Sequence, residues 1–258
     1  ADDEVRDRSL YERANDCRWW ALSPVLERGL AAPPAAAADA ELAAVLRHVN
    51  GLYTVYTRLL VFGADGRIRA VSRDAEHTTL VGQEIGRGGG SALLDAVRGL
   101  TDSQRYAVSA FEASPLSDGR PTYVYAAAVR DAQRRVVGGI AAVFDAPAEL
   151  HKMLGDVLGD RAGFAAFVDA DGRVLASTDP ELPPGSGLPK ALAPGLAEFR
   201  DATWSVAAVR AEGYREFKRE DGYDNRVRAL VALRLGERER RGRNQHDIPV
   251  HALPPARR

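Results

Sequence analysis

Residues 60–72, LVFGADGRIRAVS, decide the fold, because they return with few changes as residues 167–177, FVDADGRVLAS. Each stretch is an apolar run, an Ala-Asp-Gly-Arg turn and a second run that ends in serine. An Asp-Gly pair between two apolar runs is the strongest short-range indication of a β-hairpin. The copies lie about a hundred residues apart, which is too long for a solenoid repeat and suits two copies of one domain.

The rest of the chain divides around these hairpins into four segments. Residues 1–39 are predicted to form a long N-terminal helix that ends in a Pro/Ala break. Residues 40–150 form a first module, residues 151–235 form a second and smaller one, and residues 236–258 are a charged linker. A short helix is expected near residues 188–196 of the second module.

Local patterns predict the elements of the first half of the chain. The segment 2–30 has helical spacing, and Pro24 is expected to kink or end that helix. Strands are predicted at 105–111, 122–130 and 136–144, with turn residues between them. Helices gathered before an antiparallel meander are typical of an α+β fold.

Composition excludes several classes of protein. The chain has 258 residues, 35 Lys and Arg against 36 Asp and Glu, and a net charge of -1, which argues against a nucleic-acid binder. A single cysteine, Cys17, excludes an internal disulfide and a multi-cysteine metal site. No apolar run approaches the roughly 18 residues of a membrane helix. Because the sequence starts at Ala1, we expect a processed chain or part of a longer one.

Catalytic motifs are missing from the sequence. The five histidines show no HExxH-type metal spacing, and there is no Gly-x-Ser-x-Gly elbow. The glycine-rich run 86–91 lacks the Gly-Lys-Ser/Thr of a phosphate loop, so it is interpreted as a flexible loop. We therefore predict a protein that is not an enzyme and that holds no cofactor and no metal.

Taken in order, these motifs resemble the double Cache family of bacterial sensor domains. The residues that carry the resemblance are the paired Asp-Gly-Arg hairpins, Ser-Thr-Asp-Pro at 177–180, the strand 136–144 followed by Asp145, and Ala-Ala-Val-Arg-Asp at 127–131. The resemblance covers about residues 1–235. It implies an α+β fold in which a long N-terminal helix precedes two PAS-like modules, each an antiparallel sheet with flanking helices.

The resemblance also implies a function. Such domains sense small organic molecules for chemoreceptors, sensor kinases and other signal-transduction proteins, and they bind the ligand mainly in the module that here spans 40–150. They lie outside the cytoplasm between membrane helices and pass ligand occupancy to an attached signalling module. The charged linker leaves a soluble cytoplasmic sensor as the alternative. A homodimer through the N-terminal helix is expected, and no nucleic-acid partner is.

Aromatic side chains are the first candidates for ligand contacts in the module 40–150. Tyr123 and Tyr125 share one face of a predicted strand and offer ring surfaces and hydroxyl groups, which suit a small planar or charged ligand. Tyr106 and Phe111 lie on opposite faces of the preceding strand. The alternative for the tyrosine pair is ordinary half-buried sheet packing.

Charged side chains complete the candidate set. Glu112 and Asp145 follow strands, where a carboxylate can receive a ligand ammonium or amide, although Asp145 is equally suited to cap the next helix. Arg73, His77 and Arg87 lie in loops expected to cover the pocket, where they either pair with a ligand carboxylate or remain solvated.

Two alternatives remain open. Amino-acid-sensing members of the family carry an Arg-x-Trp-Tyr run, which the corresponding stretch 87–93 lacks, so the resemblance favours another small organic ligand. The second alternative for the whole chain is a structural or oligomerisation module that binds no ligand.

Overall fold

Two five-stranded antiparallel sheets form the framework of the computed structural model, which describes residues 2–86, 91–210 and 227–237. The helices are α1 (Asp2–Trp20), α2 (Pro24–Ala31), α3 (Ala36–Leu52), α4 (Ser91–Arg98) and α5 (Ala146–Leu158). The strands are β1 (Tyr56–Gly63), β2 (Ile68–Val71), β3 (Ala107–Val108), β4 (Glu112–Ala113), β5 (Pro121–Thr122), β6 (Val124–Arg130), β7 (Val136–Phe144), β8 (Gly163–Val168), β9 (Val174–Ser177), β10 (Gly195–Phe199), β11 (Ala202–Arg210) and β12 (Arg228–Glu237). A mixed fold of helices and antiparallel sheets agrees with the α+β prediction.

The two sheets have the same strand order. The first runs β2-β1-β7-β6-β3, and the second, read in the same sense, runs β9-β8-β12-β11-β10. In each sheet the hairpin found in the sequence supplies the first two strands, and the last strand pairs beside the first strand of that hairpin. The sequence repeat therefore corresponds to a repeated topology.

Both hairpins also share their turn geometry. Gly66 and Gly172 have φ values of +85° and +79°, a left-handed conformation that glycine adopts without steric cost. Each hairpin has a register shift just before its turn, between Val61 and Phe62 in the first copy and between Phe167 and Val168 in the second. The identical motif thus folds into the same bulged hairpin twice.

After each hairpin, the chain returns to the first residue of the hairpin's second strand. The backbone N–H of Gly82 donates to the carbonyl of Ile68, and the N–H of Gly185 donates to the carbonyl of Val174. In the first sheet this return places residues 72–86 across one sheet face.

Pro24 ends one helix and begins another. α1 stops at Trp20, and α2 starts at Pro24, whose missing N–H costs nothing in a first turn. The helical segment predicted at 2–30 is therefore two helices rather than one. None of the described helices is both long enough and apolar enough to cross a membrane.

The first sheet buries both of its faces. The helix-side face is covered by α1, α2 and α3, and its core cluster includes Cys17, Leu26, Leu42, Leu46, Leu59, Val61, Tyr125, Ala127, Ile140 and Ala142. The loop-side face is covered by residues 72–86, by α4 and by the turn at 115–117, and its core cluster includes Leu60, Phe62, Leu80, Ile85, Leu93, Val97, Leu116, Val124, Ala126 and Val143. Strand alternation sends neighbouring residues to these opposite faces.

Helix α5 joins the two sheets. Its buried Leu150 and Leu154 belong to the same core cluster as Phe144 of the first sheet and Phe167 of the second. The opposite face of the second sheet has a core of its own, centred on Phe164 and other residues.

Two predicted elements differ from the structure. The helix expected near 188–196 is a loop followed by β10. Pro189 and Pro194 explain this, because proline removes an N–H donor and keeps the preceding residue out of the helical conformation. The strand expected at 105–111 is reduced to the short β3, and the chain then forms a separate two-stranded pair, β4 with β5.

Candidate functional site

The four aromatic candidates lie together on the helix-side face of the first sheet. Phe111 and Tyr125 are buried at 8% and 4% exposure, and Tyr106 and Tyr123 are half-buried against the same cluster. The ring centroids of Phe111 and Tyr123 are 5.1 Å apart in an edge-on arrangement, and those of Tyr123 and Tyr125 are 6.3 Å apart. These rings form part of the core between sheet and helices.

Arg18 of α1 holds the edge of this aromatic group. Its guanidinium lies 5.4 Å from the ring centroid of Tyr106 and 5.5 Å from that of Tyr11, within the range of a cation–π contact. Its Nη1 donates to the carbonyl of Gln104 over 2.5 Å. The contacts of Arg18 therefore fix α1 against the strand edge next to Tyr106.

Two ionisable groups of α1 contact the sheet, of which Cys17 is fully buried and Asp16 is half-buried. Cys17 donates its thiol hydrogen to the carbonyl of Tyr125 over 3.4 Å, and burial raises the pKa of this thiol, so it stays protonated and inert. Asp16 accepts a hydrogen bond of 2.5 Å from the Tyr56 hydroxyl. Burial raises the pKa of the Asp16 carboxyl, while the Tyr56 hydrogen bond and the charge of Arg13 oppose that rise.

Neither candidate carboxylate has an ion-pair partner among the described residues. Glu112 is half-buried on β4, where it pairs with Thr122 of β5. Asp145 occupies the N-cap position of α5, but its side chain makes no capping bond, and its backbone N–H donates to the carbonyl of Val55. Its carboxylate is therefore available to another group.

The loop candidates lie on the other side of the sheet from the aromatic group. Arg73 and His77 are exposed, and their loop contributes Leu80 and Ile85 to the loop-side core. Arg87 lies outside the described residues. The structure thus brings the four aromatic residues together and separates them from Arg73 and His77 by the thickness of the sheet.

One buried ion pair of the first sheet was not predicted from the sequence. Arg58 of β1 is only 2% exposed, and its Nη2 donates to Oδ2 of Asp118 over 2.5 Å. The other carboxylate oxygen of Asp118 accepts the backbone N–H of Glu76 over 2.9 Å. This contact ties the 72–86 loop and the turn at 115–117 to the sheet.

Arg58 is incompletely hydrogen-bonded. Its Nε and Nη1 are buried and find no hydrogen-bond partner among the described residues. A buried donor without an acceptor costs about 1–3 kcal/mol, and more when the group is charged. The one available sequence signal was a charged residue at an even spacing from Leu60 and Phe62, which places it on their face of the strand.

A separate apolar cavity of about 400 Å³ opens on the helix-side face. It lies among the ends of α1 and α3, the start of α2 and the sheet, with Leu59 and Ile140 at its floor. Trp20 is buried in its wall, whereas Trp19 is 73% exposed. Ser23 is the one polar side chain among its lining residues, so this cavity suits apolar groups.

In the described part of the chain, no group of three or more His, Cys, Asp or Glu side chains is placed to hold a metal ion.

Comparison with solved structures identifies the fold. The ligand-binding domain of the Pseudomonas fluorescens chemoreceptor CtaA, in complex with L-isoleucine, matches with a TM-score of 0.59 and 14% identity over 91% of this chain and 88% of that one. The sensor domain of the Vibrio cholerae histidine kinase DctB matches with a TM-score of 0.61 and 14% identity, over 90% and 94% of the two chains. The ligand-binding domain of the Pseudomonas aeruginosa amino-acid chemoreceptor PctC, in complex with GABA, matches with a TM-score of 0.60 and 17% identity, also over 90% and 94%.

These structures are double Cache ligand-binding domains, so the resemblance found in the motifs holds for the fold. In sequence, no protein-family description and no curated protein matches the chain.

Proposed function

We propose that this chain is the small-molecule-binding sensor domain of a bacterial chemoreceptor or related signal-transduction protein. The observation that carries the proposal is the likeness of fold to ligand-binding domains of chemoreceptors and of a histidine kinase, over nine-tenths of the chain. In this proposal residues 1–39 are an N-terminal helical segment, and residues 40–150 are the ligand-binding Cache module. Residues 151–235 are a second module that supports or transmits, and residues 236–258 are a charged linker. No catalytic step is assigned to it.

The ligand site we propose lies on the loop-side face of the first sheet. Its cover is made of loops and one short helix, which open at a lower free-energy cost than packed helices do. Arg58 lies at the sheet surface beneath this cover, and Arg73 and His77 belong to the covering segment. For Arg87, which lies outside the described residues, we propose a role in the same ligand site. For Tyr106, Phe111, Tyr123 and Tyr125 we propose a second role, which is to couple the sheet to α1.

Helix α5 is the proposed route from the ligand to the output. It begins directly after β7 with Asp145 and packs on the second sheet through Leu150 and Leu154. Because one core cluster includes side chains of both sheets and of α5, a shift of β7 moves the second module. An attached signalling module would read this change.

The experiment that tests the proposal is a thermal-shift screen of the full chain against amino acids, organic acids, amines and nucleobases. A ligand that binds only the folded chain stabilises it by about 2.7 kcal/mol at a hundred times its Kd. We expect a dose-dependent rise in the melting temperature with at least one class of compound, followed by saturable binding in calorimetry. If no compound raises the melting temperature, a structural module that binds no ligand becomes the better account.

Two further parts of the proposal concern assembly and location. A homodimer through the N-terminal helix is consistent with Trp19 and Leu22, which are 73% and 58% exposed near the end of α1. Light scattering of the wild-type chain and of Trp19→Gln tests it, since only the variant should be monomeric.

We also propose a location outside the cytoplasm, with a cytoplasmic sensor as the alternative, and reporter fusions to the full-length protein distinguish these.

A further inference from the structure

The geometry of strand β1 directs the side chain of Arg58 to the loop-side face of the sheet. In the ladder it lies opposite Val143, whose side chain belongs to the loop-side core. Leu60 and Phe62, two and four residues further along the strand, belong to that same core. The guanidinium is therefore enclosed between the sheet and the segments that cover this face.

Arg58 has more buried N–H donors than the described residues have acceptors to offer them. A guanidinium carries five N–H donors in a fixed plane. Asp118 accepts one hydrogen bond from Nη2, while Nε and both hydrogens of Nη1 find no acceptor in the described part of the chain. Three buried donors thus remain unfilled on a side chain that is 2% exposed.

A second buried arginine of the same sheet shows that the fold can fill such donors. Arg69 of β2 is 7% exposed, and all three of its nitrogens are hydrogen-bonded. Its Nε donates to Asp39 over 2.7 Å, and Nη1 and Nη2 reach the carbonyls of Ala32 and Gly29 over 3.4 Å each. Among the described residues, Arg13, Arg130 and Arg228 each leave a buried Nε without an acceptor, whereas Arg58 leaves two of its nitrogens unfilled.

We propose that Arg58 is the residue that recognises the ligand, and that the ligand carries a carboxylate. A carboxylate presents two coplanar oxygens that accept charge-assisted hydrogen bonds from a guanidinium, and these bonds are about twice as strong as neutral ones. Asp118 already binds one edge of the same guanidinium in this manner. This inference rests on the proposed function, because it names the ligand class of the proposed site.

Asp118 gives the site a way to report occupancy. It links Arg58 to the backbone N–H of Glu76, so a ligand carboxylate that draws the guanidinium toward itself loosens or tightens the 72–86 loop. Binding at Arg58 is thus coupled to the loop that covers it.

The test uses matched compounds and matched variants of the full chain in calorimetry. GABA, butyrate and butylamine differ only in which charged end they carry, as do L-leucine and L-leucinamide. We expect binding to follow the carboxylate, and Arg58→Lys to weaken it at least about tenfold, since lysine keeps the charge but not the fork of donors. The control is Arg69→Lys, the same substitution at the filled arginine, which should leave the affinity unchanged.

A second measurement covers the case in which Arg58→Lys does not fold. In ¹⁵N–¹H spectra of the wild-type chain, the Nε–H signals of Arg58 and Arg69 are assigned by triple-resonance experiments. The Arg58 signal should shift on addition of GABA, butyrate or L-leucine, whichever binds in calorimetry, while the Arg69 signal should not. Equal binding of compounds without a carboxylate, undiminished binding by Arg58→Lys or an unshifted Arg58 signal would each overturn the inference. If the thermal-shift screen finds a ligand and every such ligand lacks a carboxylate, the inference fails while the proposed function stands. If no compound of the whole screen binds, the proposed function itself fails.

Discussion

Each face of the first sheet buries one arginine that forms an ion pair with an aspartate, but the two arginines differ in how many of their nitrogens are hydrogen-bonded. On the helix-side face Arg69 pairs with Asp39 and has every nitrogen hydrogen-bonded. On the loop-side face Arg58 pairs with Asp118, and its Nε and Nη1 have no acceptor within residues 2–86, 91–210 and 227–237. The arginine on the helix-side face is therefore fully hydrogen-bonded, whereas the arginine on the loop-side face retains donors that the described residues do not use.

The largest expected difference between the faces lies in apolar packing. Leu42→Ala on the helix-side face should lower the free energy of unfolding by about 4 kcal/mol, because Leu42 is fully buried between helices that cannot close the cavity. The same change at Leu116, in the loop-side turn, should cost about 2 kcal/mol, because that turn can collapse inward. Urea denaturation of both variants measures this. Equal losses would contradict the idea that the loop-side cover is the more adaptable one.

The arginines give the next largest effect. Arg69→Met should lower the free energy of unfolding by about 3 kcal/mol, because it leaves the Asp39 carboxylate and two carbonyl groups without their donor. Arg58→Met should cost less, about 1–2 kcal/mol, because three donors that had no acceptor leave together with the ion pair. Urea denaturation of the two variants without ligand compares them, and a greater loss at Arg58 would refute the contrast.

The smallest effect concerns pH on the helix-side face. Burial raises the pKa of Asp16 above its ordinary 3.8, so the folded chain binds this proton more tightly than the unfolded chain does. As the pH rises from about 3.8 through the folded-state pKa, Asp16 must ionise while buried, and stability falls. Asp16→Asn should remove this part of the pH dependence.

The measurement is the free energy of unfolding in urea from pH 4 to pH 7 for the wild type and Asp16→Asn. Asp95→Asn is the control, since that carboxylate is 75% exposed. Parallel pH profiles for the wild type and Asp16→Asn would show that Asp16 contributes nothing to the pH dependence.

Much of the fold could be predicted from local sequence. The Asp-Gly turns need a left-handed glycine, so Gly66 and Gly172 identified both hairpins, and their repetition indicated the repeated topology. The helix expected near 188–196 was wrong, because Pro189 and Pro194 remove two N–H donors and keep the residues before them out of the helical conformation.

The candidate site was less predictable, since it depends on which face of the sheet each element covers. Alternation correctly placed Tyr123 and Tyr125 on one face, but nothing local shows that α1 packs on that face while the loop of Arg73 and His77 covers the other. The partner of Arg58 lies 60 residues away, on a residue with a φ of +52° in a turn. Such a pair is a tertiary contact between distant residues, and no local sequence pattern predicts it.

Hydrogen exchange in the presence of a ligand tests the central claim most directly. The full chain is compared with and without the compound that gives the largest thermal shift. We expect new protection in residues 72–86 and 114–120, which cover Arg58, and little change in α1 and α3, which cover the opposite face. Protection confined to α1, α3 and the cavity beside Trp20 would place the ligand on the helix-side face and contradict the account.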